Sequence, residues 1–540
     1  MEPPFRQGPS PIWRLLGWSV LLLAAWATTH PGGGDPFPWC AKTAIGVLVL
    51  MLLVRAVTDG RIPIRWPRAS PESQTLSTSG PGTAVSAMSP AEMARRRVEL
   101  AGGGAYLGLA RGLWVTADPE HAVMVLGPPR RGKTSAVMIP ALMASSGPAV
   151  STSTKPDVME ATMHARAEIG EVWLFDPSGT EPLPEGVRRL SWSPITAAAS
   201  WDGALLMARA MTAASRVGAG TTNENHWTER AAALLAPLLY AAQLTGRPVE
   251  EVLRWTLRQD LAPALEVLAD ADSEIAADVL VGIERTDARE RSSIFSATAG
   301  VLSAYNSDGA RESAAHPNFD PARFAASTDT IYVTSPEQHQ AACAPLIVGL
   351  LEQIRHAKYA QVRTADSLEP WMHWFLDELP NIAPIHDLPA LVSQAGGQGL
   401  QVVAGLQDFS QARTRWGTDA ADGFLSLFQI KLILNGVSEP RTLDAISTVL
   451  GEYDRDMTTL TLGRSEPQEW RAEPTHSDTV SYQTQRQRVL TPGEVAKLPA
   501  GRGLLLRGTD WTLLGLTPYH KTEPWKTIAA KGPDPTPAAP

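Results

Sequence analysis

Cysteine is nearly absent. Cys40 and Cys343 are the only two in 540 residues, too few and too far apart for a disulfide framework or a cysteine-rich zinc site. The histidines show no i, i+4 pairs, so they mark no metal site of the helical kind, and no Ser/His/Asp order stands out. Charged residues make up 19% beside 44% hydrophobic, a balance that excludes a disordered chain. Positive charge is not in excess. A net charge of −9 removes any global attraction to nucleic acid and leaves only a local basic patch to supply one. Lysine is scarce beside arginine, which gives each lysine in a motif more weight. The length exceeds what one core holds, so two or three folded units are expected.

Two apolar stretches come first, Ile12 to Thr29 and Trp39 to Val57. Each approaches the ~20 residues that span a bilayer. The loop between them, His30 to Pro38, is rich in proline and glycine and breaks any helix. Arg6 and Arg14 flank the first stretch; Arg55, Arg61, Arg65 and Arg68 follow the second. By the positive-inside rule both ends then face the cytoplasm. Residues 1–58 therefore read as a transmembrane hairpin anchor in the cytoplasmic membrane, multi-pass, with the rest of the chain in the cytoplasm. The competing readings are a cleaved signal peptide followed by one span, or two buried core helices. A Ser/Pro/Gly-rich linker, 59–100, follows.

Val123 to Leu126 reads as a buried strand, and Gly127-Pro128-Pro129-Arg130-Arg131-Gly132-Lys133-Thr134 follows at once. This is a complete G-x-x-x-x-G-K-T loop, with a helix expected from Ser135 onward. Gly127 and Gly132 permit unusual dihedrals and bare backbone N–H groups to phosphate oxygens. Lys133 is expected on the β- and γ-phosphates and Thr134 on Mg²⁺, with the helix N-terminus favouring the anion. The loop thus calls for ATP and Mg²⁺, held by Gly127 through Ser135. Arg130 and Arg131 are unusual there: nucleotide, a neighbouring subunit and solvent are all open destinations for them.

A second apolar run, Trp371 to Leu376, ends in Asp377-Glu378. In phosphate-loop ATPases a strand-end Asp joins the Mg²⁺ shell and the next Glu polarises the attacking water. Alone the pair is weak evidence; below a full phosphate loop it is strong. Leu400 to Leu406 is a further apolar run, ending at Gln407, a residue suited to sensing the γ-phosphate or orienting the water. The catalytic set is then Lys133, Glu378 and Gln407, with Thr134 and Asp377 for the metal. Ala395-Gly396-Gly397-Gln398-Gly399 is similar to the signature of ABC transporters but lies after the acidic strand, not before it, and that reading fails on order.

The order of features resembles the TraG/TraD/VirD4-like coupling proteins of conjugative and type IV secretion systems, particularly actinobacterial members. After the anchor and phosphate loop come Ser153-Thr154-Lys155-Pro156-Asp157, Val172 to Pro177 and Trp192-Ser193-Pro194. Trp227 before Ala231 to Leu235, the stretch Asp377 to Trp416-Gly417, and Gln487 to Glu494 also match, with the strand Gly503 to Leu506 behind. The resemblance implies an α/β fold: a RecA-like P-loop motor core with an inserted all-α domain. The domains expected are 101–200 and 315–525 for the two parts of the nucleotide-binding domain, 201–314 for the helical insertion, and 526–540 for a disordered tail. It also implies a homo-hexamer that recruits DNA, as a relaxase-linked single strand, or protein, and passes it to secretion-channel proteins. One departure concerns the arginine finger, for which Gln394 to Gly399 offers no arginine; either Arg441, Arg413 or Arg415 substitutes, or activation between subunits works differently. An FtsK-like double-stranded DNA translocase and a non-hydrolysing membrane scaffold are the alternatives. The first usually lacks a long helical insertion, and the second has no need of Lys133, Thr134, Asp377 and Glu378 together.

Elsewhere apolar periodicity predicts helices over Ala231 to Leu244 and Val249 to Leu265, and Asn223 to His226 reads as a capping loop. Gly463 to Gln487 is polar and reads as a mobile loop or channel-facing segment.

Overall fold

Short apolar runs between turns become strands, and the polar sequence around them sets which run next to which. The computed structural model describes residues 88–215, 224–465 and 475–530. In chain order, a hairpin of β1 (Tyr106–Ala110) and β2 (Leu113–Thr116) precedes β3 (Val123–Leu126), β4 (Ala149–Ser153), β5 (Val172–Phe175) and the two-residue β6 (Arg188–Arg189). Helices intervene, and then come β7 (Thr330–Thr334), β8 (Met372–Leu376), β9 (Leu400–Leu406) and β10 (Ile430–Leu434). β11 (Glu452–Ser465) pairs with β12 (Thr475–Arg488) in a separate ribbon, while β13 (Arg502–Arg507) and β14 (Asp510–Gly515) return to the main sheet.

Among the described residues that sheet has twelve strands in the order β2-β1-β14-β13-β10-β3-β9-β8-β4-β7-β5-β6. From β10 to β6 every pairing is parallel; the other four strands are antiparallel. β3, β8 and β9 are buried at every residue, as strands covered by helices on both faces must be. Register decides the site. Leu126 lies beside Leu406 and Leu376 beside Ala404, so β3, β9 and β8 end almost level and their following residues share one edge. The carboxyl edge of a parallel sheet is where such folds bind ligands.

Between β6 and β7 the described residues of the stretch 201–315 are helical and carry no strand. Helix Trp201–Ala214 packs on Glu224–Leu244 and on the long helix Gln340–Ala365 that leads into β8. At Gly349 a side chain would stand 2.8 Å from the ring of Trp192, and that indole donates to Gln353 Oε1 at 2.6 Å. A glycine here lets the root of the insertion seat directly on the long helix.

Buried charge holds the loops at the opposite edge. Arg166 is fully buried and donates to Thr330 Oγ1 (2.6 Å), Gly147 O (2.7 Å), Thr328 O (3.0 Å) and Ser145 O. Burial pushes its pKa down to about 10. His373 on β8 meets Ser145 Oγ at 2.9 Å, and burial, then the nearby Arg166 charge, pushes it down to about 3. It is a neutral core histidine.

Several expectations change. The helix read over Val249 to Leu265 is two, Val249–Arg258 and Ala262–Asp270. Gln259 adopts a left-handed conformation (φ 55°) that ends the first, and Pro263 sits in the first turn of the second, where its missing N–H costs nothing. Asn225 and His226 belong to a helix that includes Glu224, not to a loop before it. The segment read as a mobile loop is largely ribbon: Glu452–Ser465 and Thr475–Arg488 pair residue for residue. Within the linker stretch, Ser89 caps a helix, Pro90–Leu100, accepting from Glu92 N at 3.0 Å. The disordered tail expected over 526–540 starts instead inside a helix, Trp525–Ala530, with Trp525 and Ile528 buried; the anchor, residues 1–58, and the tail from 531 lie outside the described residues. Among the described residues no helix is long and apolar enough to cross a membrane.

Candidate active site

The phosphate loop leaves β3 at Gly127, whose N–H donates to Leu406 O at 3.0 Å. A Cβ on Gly127 would fall 2.7 Å from Leu434 Cβ, so glycine is needed for the loop to turn away over β10. Arg130 takes φ 62° and Gly132 φ 95°, and the chain then enters a wide helical turn, Lys133–Met138, continuing as Ile139–Met143. Arg130 and Arg131 are exposed, Arg131 lying across Gly436. Pro128, Pro129 and Ser135 complete the loop and the start of the turn.

The sequence-expected residues converge. Lys133 is 5% exposed and its ammonium lies 3.2 Å from Glu378 Oε1 and 3.5 Å from Asp377 Oδ1. Thr134 Oγ1 donates to Asp377 Oδ2. Gln407 Nε2 donates to both Glu378 oxygens, at 3.0 and 3.3 Å. Glu378 itself has φ 52°, a conformation that costs a non-glycine residue free energy and clusters at functional positions. Its strained turn aims the carboxylate back over the loop.

Three residues enter the site without having been singled out. Thr152 Oγ1 donates to Asp377 O at 3.0 Å and fixes the end of β8 to β4. Gly405 lies beneath Asp377, with an added Cβ only 2.8 Å from Asp377 Oδ1. A glycine inside a buried strand signals close approach, so this one was legible. Asp157 closes the Ser153-to-Asp157 turn; desolvation raises its pKa and the Asp377 charge adds to the rise, against the pull of Lys155. The β4 turn therefore lies within the electrostatic field of the site.

The donor set fits a nucleotide with Mg²⁺. A hydroxyl and a carboxylate oxygen, Thr134 and Asp377, offer the hard oxygen ligands that Mg²⁺ takes alongside water and phosphate. Lys133 is buried between two carboxylates. Two of the arginines considered as fingers are committed within the chain. Arg413 pairs with Glu439 and Asp422, and Arg415 donates to the backbone carbonyls of Ala213, Ala214 and Pro384. Arg441 is exposed on helix Pro440–Leu450.

Parallel sheet, level strand ends and a complete G-x-x-x-x-G-K-T loop over an Asp-Glu strand define a P-loop nucleotide-binding fold. Residues 372–500 match the family model described as the TraM recognition site of TraD and TraG. Among solved structures, the bacterial conjugative coupling protein TrwBdeltaN70 in an unbound form shares the fold at TM-score 0.57 and 18% identity, covering 78% of this chain and 91% of that one. The plasmid coupling protein TrwB in complex with ADP and Mg²⁺ gives the same values. Its complex with a non-hydrolysable ATP analogue gives TM-score 0.56, 18% identity and the same coverage. No curated protein matches the chain by sequence. The chain is thus TraG/TraD/VirD4-like in its fold and in residues 372–500, as the sequence resemblance implied.

Proposed function

We propose that this chain is a membrane-anchored ATPase coupling protein, of RecA-like motor type, that moves DNA or protein substrates into a conjugative or type IV secretion channel. The observation that carries the proposal is the cluster of Lys133, Thr134, Asp377, Glu378 and Gln407, drawn from three adjacent strand ends. Its chemistry is phosphoryl transfer to water. Thr134 and Asp377 would hold Mg²⁺, which would supply charge neutralisation at the phosphate oxygens. Lys133 exchanges its carboxylates for the β- and γ-phosphates, Glu378 takes the proton of the attacking water, and Gln407 orients both. The buried walls of β3, β8 and β9 exclude bulk solvent beneath them, which strengthens these charges.

The fold shared with TrwB, which is described as a conjugative coupling protein and as binding ADP with Mg²⁺, supports the nucleotide and the coupling role. The match over 372–500 makes that region the candidate docking site for a TraM-like partner. A homo-hexamer at the cytoplasmic membrane, held multi-pass by residues 1–58 and fed a relaxase-linked single strand, is the assembly in which such a motor acts on secretion-channel proteins.

Full-length protein in lipid tests this by ATP hydrolysis with and without single- and double-stranded DNA. Stimulation by single strands that vanishes in Lys133→Ala is the expected result. Stimulation by duplex alone would point to an FtsK-like translocase, and full hydrolysis by Lys133→Ala would remove the motor reading.

A further inference from the structure

Arg415 stands where three parts of the chain meet. β9 ends in Gln407, whose amide holds Glu378. The next residue, Asp408, caps helix Phe409–Trp416 by accepting from Ser410 N (2.9 Å) and Gln411 N (3.2 Å). Eight residues make a rod about 12 Å long. At its far end Arg415 donates to Ala214 O at 2.8 Å, Ala213 O at 3.3 Å and Pro384 O at 3.4 Å. Beside it Trp416 Nε1 donates to Ile385 O at 2.6 Å.

These acceptors have different origins. Ala213 and Ala214 form the last turn of helix Trp201–Ala214, in the insertion. Pro384 and Ile385 follow Asp377 and Glu378 on the chain leaving β8. The continuations of both site strands therefore meet at Arg415 and Trp416, and the guanidinium ties them to the insertion. Carbonyls of a last helical turn carry partial negative charge that favours a cation. One terminal nitrogen, Nη2, makes all three contacts, on a group whose charge is permanent.

We propose that Arg415 is the positioning residue through which the nucleotide state of the site reaches the helical insertion; the inference rests on the nucleotide reading above. In the present geometry Gln407 and Lys133 both hold Glu378. Phosphate at the loop draws Lys133 away and leaves Gln407 a new partner set. Phe409 is buried and its N–H donates to Thr442 Oγ1 at 3.3 Å, so the helix responds as a body, packed elements being stiff. The shift is delivered at Ala213 and Ala214.

Hydrogen exchange on full-length protein in lipid, with and without a non-hydrolysable ATP analogue and Mg²⁺, reads both ends. Wild type is expected to gain protection over 127–135 and to change its exchange over 201–214. Arg415→Ala is expected to keep the first and lose the second, with basal hydrolysis unchanged and stimulation by nucleic acid reduced to none. Arg415→Lys, which keeps the charge and several donors on one nitrogen, is expected to restore part of the response, and it replaces the alanine variant should that fail to fold. Protection at 127–135 with no wild-type change at 201–214 overturns the inference while the nucleotide reading stands. A collapse of basal hydrolysis in Arg415→Ala with the 201–214 response intact overturns it too, placing the arginine at a neighbouring copy's phosphate. No protection at 127–135 in wild type removes the nucleotide reading and the inference with it.

Discussion

Replacing Gly405 by alanine adds one methyl group beneath Asp377. The added Cβ would stand 2.8 Å from Asp377 Oδ1, 3.2 Å from Met138 Cε and 3.3 Å from Asp377 Cα, where ordinary contact begins at 3.4 Å. The carboxylate must move by about 0.6 Å, the difference between 3.4 and 2.8 Å. It has little room, because Thr134 holds one oxygen and Thr152 holds the backbone carbonyl. Overpacking of this kind costs about 1–3 kcal/mol, partly offset by about 0.4–1 kcal/mol from the stiffer unfolded chain, since Gly405 has no glycine-only dihedral. Mg²⁺ demands near-ideal octahedral placement, so displacement of this carboxylate falls on metal affinity. At 1.4 kcal/mol per tenfold, Mg²⁺ half-saturation is expected to rise roughly ten- to hundredfold, with the nucleotide-free melting temperature shifting by only a few degrees. Titrating Mg²⁺ against binding of a fluorescent ATP analogue measures this. Half-saturation within twofold of wild type would refute the close approach of β9 to Asp377.

Three further outcomes follow, two from the site and one from the opposite edge of the sheet. Glu378→Gln is expected to retain ATP binding, with hydrolysis down about 10²- to 10⁴-fold. Analogue affinity should rise, because the variant removes the carboxylate that competes with phosphate for Lys133 at 3.2 Å; lost binding in a filter assay would misplace Glu378. Lys133→Ala removes the buried cation between the two carboxylates, and ATP affinity should fall at least tenfold by the same titration. For His373 the folded pKa, about 3, lies below the ordinary 6.5. The unfolded chain binds the extra proton between these values, so the contribution is present above 6.5 and lost as pH falls toward 3. From pH 7 to 5.5 the loss is on the order of 1 kcal/mol. Urea midpoints should drop more steeply for wild type than for His373→Gln over that range, and parallel slopes would contradict a neutral buried imidazole.

Sequence exposes what local chemistry enforces. The phosphate loop was legible because its glycines and lysine are required within eight consecutive residues, and Asp377-Glu378 only because a full phosphate loop upstream gives an otherwise weak strand-end pair its meaning. Helices of the insertion showed through their periodicity, except where Gln259 turns left-handed, since a glutamine there carries no sequence signal. β11 and β12 were missed for a physical reason. Tyr453, Asp454, Arg455 and Asp456 are all exposed, and a ribbon wet on both faces lacks the alternation by which strands are recognised. The contacts of Arg415 with the insertion were illegible because Ala213 and Ala214 lie about two hundred positions upstream. Gly405 was available to be read and was passed over inside an apolar run.

The order of the chain has a consequence for synthesis. Lys133 and Glu378 are 245 residues apart, and the whole helical insertion lies between them. At about 5–20 residues per second, a ribosome needs roughly 12–50 s to deliver the second half of the site after the first. During that interval β3 has neither β9 nor β10 beside it, and its apolar edges lack their final neighbours. The insertion, built of sequence-local helices, can fold in this window. The nucleotide pocket cannot close before it, so a newborn chain gains the capacity to bind ATP only once its helical domain already exists.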